Sequence, residues 1–337
     1  MISRSRIIRV AAICSILLAM TGLSVSAAPA KNYLAVVTGS TGGTYYPVGT
    51  ILAALWNEKL ANMGVAASAQ SSGGTTENLN MIRTGEAEMA IAMTNLTWFN
   101  YSGTETFAGK PNSDLRIITG LWPDVTQFVV TKASKINTLQ DIRGRRFCTG
   151  AMGSGTEYSS RAILRIVGGL ADKDYRAEHL GYFESSAAMQ NGQLDGFNSE
   201  GGVPTSAVSE IFASQTAVKL LAFSDEDYAK LAQEVPFYVQ YVIPANTYKG
   251  QAQDVKTLGV KCALICSSKL SEELVYNLVK TMDDNVARLQ SSHKAMEYVT
   301  LERAVQGLPP VPLHPGAVKF YREKGINVPE NLIPKAK

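Results

Sequence analysis

Tyr33-Leu-Ala-Val-Val-Thr-Gly-Ser-Thr-Gly-Gly-Thr-Tyr-Tyr-Pro-Val-Gly49 joins a short apolar run to a turn and then to a second apolar segment. Tyr33 to Thr38 is rich in β-branched and aromatic residues and reads as a buried strand. Gly39 to Thr44 holds only Gly, Ser and Thr, which favour turns and helix N-termini. Pro47 then sits where an opening helix accepts proline, and the pattern to Leu60 is helical. The same order follows at once. Val65 to Ser71 reads as a strand, and Gly73-Gly-Thr-Thr-Glu77 opens a helix with Leu79 and Ile82 on its buried face. Gly85 is placed to end that helix, and Met89 to Met93 reads as a third strand. Strands alternating with helices predict an α/β fold with parallel strands.

The alternation restarts further on. Leu115 to Leu121 and Gln127 to Thr131 read as two strands separated by Trp122-Pro123-Asp124. Leu139 to Gly144 reads as a helix and turn, Arg146 to Thr149 as a strand, and Gly150 to Gly155 as a Gly-rich turn before a helix from Thr156 to Val167. Leu194 to Asn198 reads as a strand leading to Gly201-Gly-Val-Pro-Thr205, which opens another helix. Tyr238 to Ile243 and Cys262 to Cys266 are late strands. Ser271 is the N-cap expected for a helix running to Gln290, with Glu272 and Glu273 at its positive end. A last short helix should end near Gly325. Two similar units in series predict two lobes. The final hundred or so residues look like an extension of the first lobe, as a chain of this length permits.

The N-terminus predicts export. Arg4, Arg6 and Arg9 precede an apolar run from Val10 to Met20, and Val25-Ser26-Ala27 supplies a cleavage site. This is the pattern of a secretory signal peptide over residues 1–27, because a bilayer span needs roughly 20 apolar residues. Cys14 follows the bulky Ile13, which argues against a lipoprotein. Of 32 Lys and Arg and 29 Asp and Glu, the leader holds only those three Arg, so the remainder is balanced in charge. A balanced chain has no electrostatic footprint for nucleic acid. Cys148, Cys262 and Cys266 remain after cleavage, an odd number. Four residues along a strand span about 13 Å, too far for a Cys262–Cys266 bridge, so buried free thiols are expected.

Catalytic equipment is sparse. His179, His293 and His314 fall in no metal-ligand spacing. Gly153-Ser154-Gly155 lacks the flanking glycines of a nucleophile elbow, where Met152 and Thr156 stand instead. The chain is therefore read as a binding protein without a cofactor and not as an enzyme. Its conspicuous feature is a set of Gly/Ser/Thr turns that open helices: Ser40–Thr44, Ser71–Thr76, Gly153–Thr156 and Glu200–Thr205. Helix starts offer free N–H groups and the positive end of the macrodipole, glycine admits a ligand to the backbone, and hydroxyls add donors. Several such turns converging can hold a carboxylate without arginine. Each alone is an ordinary N-cap.

These turns carry a resemblance. Thr38-Gly-Ser-Thr-Gly-Gly-Thr-Tyr-Tyr-Pro-Val-Gly49 resembles the N-terminal signature of the TAXI family, the solute receptors of TRAP transporters. Further matches follow in order: Glu77-Asn-Leu-Asn80 with Gly85-Glu-Ala-Glu88, Gly153-Ser-Gly-Thr156, Gly201-Gly-Val-Pro204, Ile243-Pro-Ala-Asn-Thr-Tyr248 and Pro312-Leu-His-Pro-Gly316. The resemblance covers essentially the whole chain after the leader. It implies a two-lobed type II periplasmic-binding-protein fold whose chain crosses twice between lobes, near Gln127 to Thr131 and near Cys262 to Cys266. Lobe one is then 31–130 with 262–337, and lobe two 131–261. It implies a periplasmic monomer that delivers a small carboxylate or an amino acid such as glutamate to an ion-driven TRAP-type membrane permease. The same fold serving an ATP-driven importer or a membrane sensor is the alternative.

The expected ligand contacts are Ser40, Thr41, Gly42, Gly43, Thr44, Tyr45, Asn78, Thr94, Ser154, Gly155, Thr156, Glu200 and Gly201. Family members often carry Tyr-Val or Phe-Val before the Gly-Gly-x-Pro turn, where this chain has Ser199-Glu200. A glutamate there repels a second carboxylate and suits an ammonium group; it is equally well explained as an acid at a helix start. Tyr46 and Trp98 are read as wall or core, and Arg143, Arg145 and Arg146 as a solvated turn.

Overall fold

The computed structural model describes residues 31–335. The basic leader, the apolar run and the Val25-Ser26-Ala27 site lie outside the described residues. The chain folds into the expected α/β class. The first unit is β1 (Asn32–Val37), α1 (Tyr45–Lys59), β2 (Val65–Gln70), α2 (Thr75–Thr84), β3 (Met89–Met93) and α3 (Thr94–Ser102). β1 pairs with β2 and β3 in parallel, in the register set by Val36↔Ala69 and Val36↔Met89. Gly85 closes α2 at φ +80°, a left-handed conformation that glycine adopts without a Cβ penalty.

A second unit follows. It comprises β4 (Leu115–Thr131), β5 (Arg146–Cys148), α4 (Gly155–Ile166), β6 (Arg176–Glu178), α5 (Tyr182–Gln190), β7 (Gly196–Gly201), α6 (Ser206–Ala213), β8 (Val218–Leu220), α7 (Asp225–Glu234) and β9 (Tyr238–Ile243). β10 (Val255–Ser267) then leads to α8 (Glu272–Asp284), α9 (Val286–Ser292) and α10 (Pro315–Glu323). The strands form the order β2-β1-β3-β10-β4-β7-β5-β6, with β8 beside β4 and β9 beside β10.

Two long strands join the halves. β10 pairs with β9 through Val255 to Val260 and with β3 through Cys262 to Cys266. β4 pairs with the distal half of β10 through Leu115 to Gly120 and with β7 through Val125 to Val130. The chain thus passes between the units twice. Trp122-Pro123-Asp124 does not interrupt β4, contrary to the two-strand reading. The pairing slips between Lys261 and Ala263, which face Pro123 and Gly120, and such a bulge tolerates a proline that cannot donate to the ladder. Gln127 to Thr131 pair with β7 and β8.

Other differences are local. The helix expected from Ser271 to Gln290 is two helices, parted at Asn285, whose side chain donates back to the Thr281 carbonyl at 2.8 Å. Ser271 caps the first, its Oγ accepting from the Leu274 N–H. Glu200 and Gly201 end β7 and are not part of a turn. The sequence reading contained neither β6 nor α5, nor β8 and α7. Cys148, Cys262 and Cys266 are buried and free.

The core of the second unit lies on both faces of its sheet. Phe128 stacks on Phe147 at 5.3 Å beneath Ile163 and Leu164 of α4, and Val125, Val129 and Phe197 face α5 and α6 on the other side. The first unit packs α1 against α8, where the Trp56 indole donates to the Leu278 carbonyl at 3.2 Å. Among the described residues no helix is long and apolar enough to cross a membrane.

Candidate functional site

Among the helices that begin at the seam between the two units are α1, α2 and α4. α1 and α2 come from the first and α4 from the second, and each follows a strand whose end meets the seam. Neither α1 nor α2 has a side chain capping its first N–H groups; α4 is capped by Ser154, whose Oγ accepts from Glu157 N–H at 2.9 Å. The first N–H groups of a helix lack intrahelical partners and carry the positive end of the dipole.

Their meeting frames a small cavity that is partly open to solvent. Ser40, Gly43, Thr44 and Tyr45 line it from one side, as do Gly73, Gly74 and Thr75. Ser154, Gly155 and Thr156 face them. The turns Ser40–Thr44, Ser71–Thr76 and Gly153–Thr156 all contribute, and Glu200 at the end of β7 lines the cavity with them. Close approach explains the glycines. A Cβ on Gly155 would stand 2.2 Å from Met93 Sδ and 3.0 Å from Thr75 Oγ1, and one on Gly43 would stand 3.2 Å from the Tyr182 ring. Gly74 additionally holds φ +116°, which L side chains rarely adopt.

The seam is closed by hydrogen bonds that cross it. Thr44 Oγ1 donates to the Gly202 carbonyl at 3.2 Å, the Glu77 N–H to the Gly153 carbonyl at 3.2 Å, and the Ala207 N–H to the Gly42 carbonyl at 3.2 Å. The Tyr182 N–H donates to Ser40 Oγ at 3.2 Å. Tyr182 also braces the inner wall. Its hydroxyl meets Thr156 Oγ1 at 2.5 Å, accepts from the Glu200 N–H and donates to the Glu200 carbonyl, both at 3.0 Å.

Two buried acids face the cavity, and its lining contains no Lys, Arg or His. Asp124 accepts from the Tyr45 hydroxyl and from Trp122 Nε1 at 3.2 Å. Burial pushes its pKa up to about 7 against these hydrogen bonds. Glu200 Oε1 accepts from Thr126 Oγ1 at 2.9 Å, while Oε2 is buried without a hydrogen-bond partner. Burial, opposed by Thr126 and reinforced by the Asp124 charge, raises Glu200 to about 8. An acceptor left bare in such a place costs about 1–3 kcal/mol, so it marks where a donor belongs.

Of the residues expected to touch a ligand, Ser40, Gly43, Thr44, Tyr45, Ser154, Gly155, Thr156 and Glu200 line the cavity. Five do not. Thr41 is exposed and Gly42 packs under Phe183. Asn78 spends its amide on the Thr38 and Ile91 carbonyls at 2.6 and 2.9 Å, stitching β1 to β3. The Thr94 hydroxyl holds the Lys261 carbonyl at 2.8 Å, and Gly201 pairs with Val125 in the sheet. Tyr46 and Trp98 lie outside the lining, and Trp98 stacks on Tyr101. Arg143 and Arg146 pair with Asp174 and Asp195 away from the cavity.

Sequence reasoning missed Asp124, Gly181 and Tyr182. Asp124 lay in a tripeptide read as a break. Its signal was an acid in an otherwise apolar strand. Tyr182 begins a helix whose polar and apolar residues show no helical stripe, so no pattern announced it.

The sequence pattern that defines the NMT1-like family matches residues 36–325. The fold is similar to that of a solved protein from Bordetella bronchiseptica RB50, with a TM-score of 0.50 and 15% identity over 79% of this chain and 77% of that one. Two further solved structures are similar to it. One is the periplasmic aliphatic sulphonate binding protein SsuA from Escherichia coli, with a TM-score of 0.45 and 15% identity over 87% of this chain and 84% of that one. The other is the substrate binding protein of an amino acid ABC transporter, with a TM-score of 0.48 and 14% identity over 79% and 98%.

Proposed function

This chain belongs to the NMT1-like family, and we propose that it is an exported, periplasmic solute receptor that encloses a small amino acid or a similar zwitterion between two lobes. The observation that carries the reading is the polarity of the cavity. Helix starts at Tyr45, Thr75 and Gly155 present N–H groups and positive dipole ends to one part of it, and the Glu200 carboxyl, one of whose oxygens is buried without a partner, lies among its lining residues. A carboxylate belongs at the first and an ammonium group at the second. Above about pH 8, where both acids are ionised, a dicarboxylate lacking an amine would set a like charge against Asp124 and Glu200. Each helix end contributes about 0.3–2 kcal/mol, so three converging ends and one charged hydrogen bond supply about 2–9 kcal/mol, a range whose upper end reaches the roughly 8 kcal/mol of a micromolar complex.

The lobes divide where β4 and β10 pass between the units, and closure is hinge bending about those two strands. The hydrogen bonds across the seam are those that closure makes. The six ordered motifs that resemble the TAXI family support a TRAP-type permease as the partner. A large multi-span permease encoded beside this chain agrees with that partner, and an ATPase or a histidine kinase in its place contradicts it.

A thermal-shift screen tests the binding reading. A ligand that binds only the native state stabilises it by RT ln(1 + [L]/Kd), about 2.7 kcal/mol at a hundred times Kd. At least one small amino acid should raise Tm, and its 2-oxo counterpart should raise it less. No shift with any amino acid while simple dicarboxylates stabilise the protein contradicts the reading.

A further inference from the structure

The sheet register brings more than Glu200 to the inner wall. Residues directly opposite one another point to the same face. Val260 stands opposite both Asp124 and Tyr238, and Thr126 stands opposite Glu200. With Thr126 two residues after Asp124 on β4, these side chains share the face that α4 covers. α4 presents Thr156, Ser159 and Ser160 to it at helical spacing. Thr156 meets Tyr182 beside the Glu200 backbone, and the Ser160 hydroxyl receives the Asn198 amide at 2.9 Å. Ser159, between these two anchors, is therefore held over Glu200.

Three atoms of this patch are buried and unpartnered: Glu200 Oε2, Ser159 Oγ and the Tyr238 hydroxyl. Ser159 is fully buried, Tyr238 is 2% exposed and Glu200 5% exposed. Ser159 and Tyr238 do not line the cavity, so Glu200 stands between them and a solute. We infer that Ser159 and Tyr238 are positioning residues for Glu200, whose hydroxyls turn to donate to Oε2 when the carboxyl ionises and so set the charge the cleft presents to a solute. Neither hydroxyl is in hydrogen-bond geometry with Oε2 as the protein stands, so the new bond takes a small shift of the side chains together with rotation of the hydroxyl hydrogens. Ionisation of Glu200 then sends one proton to solvent and makes a hydrogen bond to Ser159, with Tyr238 behind it. The proximity also shows in titration. The Ser159 hydroxyl favours the ionised forms of both Glu200 and Tyr238, and the Glu200 charge raises Tyr238. Asp124 from β4 and Tyr182 from α5 also face Glu200, and Tyr158 from α4 faces Tyr238.

This rests on Glu200 being the solute-facing acid only for its consequence, because its titration can be read without solute. The test is carbon-13 NMR of the full chain labelled at glutamate carboxyls, with Glu200 assigned by its loss in Glu200→Gln. Ser159→Ala and Tyr238→Phe should each move the Glu200 midpoint upward, by a three- to tenfold loss in acidity of the carboxyl, the range of one hydrogen bond to an anion. A merely structural role lowers Tm and leaves the midpoint in place. A midpoint unchanged in a folded Ser159→Ala overturns the inference even if Tyr238→Phe fails to fold. If the midpoints move but amino acids do not bind, the inference stands and the proposed solute class falls.

Discussion

An ammonium ligand meeting Glu200 must meet it ionised, so affinity should depend on pH in a calculable way. Burial holds Glu200 at about 8 and Asp124 at about 7 in the closed cleft. At pH 6 roughly one Glu200 in a hundred is ionised, so an amino acid must first expel a proton at a cost of about 2.7 kcal/mol. Affinity should therefore rise about tenfold per pH unit towards pH 8 and then level. Glu200→Gln keeps the size and removes the charge. At pH 8.5 it should weaken the amino acid by about 1.5–3 kcal/mol and flatten the slope. The matching 2-oxo acid should show no rise with pH, because its anion gains nothing from an ionised Glu200. The assay is calorimetric titration at pH 6, 7, 8 and 9 in two buffers of different ionisation enthalpy, which also counts the protons released. An amino-acid affinity that is flat in pH and unchanged by Glu200→Gln refutes the reasoning.

Three further outcomes are expected. Both acids hold protons in the closed native form that they release when solvated, so the stabilisation is complete below about pH 4 and is lost as pH rises through about 7 and 8; without solute, Tm should fall over that window and the radius of gyration from small-angle scattering should grow as the cleft opens, and Glu200→Gln should blunt both. Gly155→Val places atoms against Met93 and Thr75 of the first unit; it should abolish binding and hold the radius at its open value when amino acid is added, with circular dichroism unchanged. Tyr182→Phe loses the hydroxyl that bridges Thr156 and the Glu200 backbone; calorimetry should show an affinity loss of about 1–3 kcal/mol, the cost of leaving a buried polar group unpaired, and an affinity equal to wild type contradicts it.

The alternation of the α/β units was legible because strands such as Met89–Met93 are continuous apolar runs bounded by turn residues. The helix-opening turns were legible because only Gly, Ser and Thr suit a backbone that a neighbour must approach closely. Two kinds of feature were hidden. β6 is three exposed residues, Arg176 to Glu178, with no apolar signal, and it forms only because β5 offers a parallel edge. Proline in Trp122-Pro123-Asp124 argued for a break, yet a bulge in the β4–β10 pairing absorbs it. That one local conflict concealed Asp124, which the continuous strand carries to the cavity. Asn78, Thr94 and Gly201 mislead in the opposite way, since short polar residues and glycine serve strand ends and backbone stitching as readily as ligand contact.

A solute should sit in the cleft in one orientation. A crystal structure with an amino acid bound tests it most directly. The carboxylate should lie on the N–H groups that open α2 and α4, and the ammonium nitrogen within hydrogen-bond distance of the Glu200 carboxylate. A solute bound in the reverse orientation, or outside the cavity between the lobes, contradicts it.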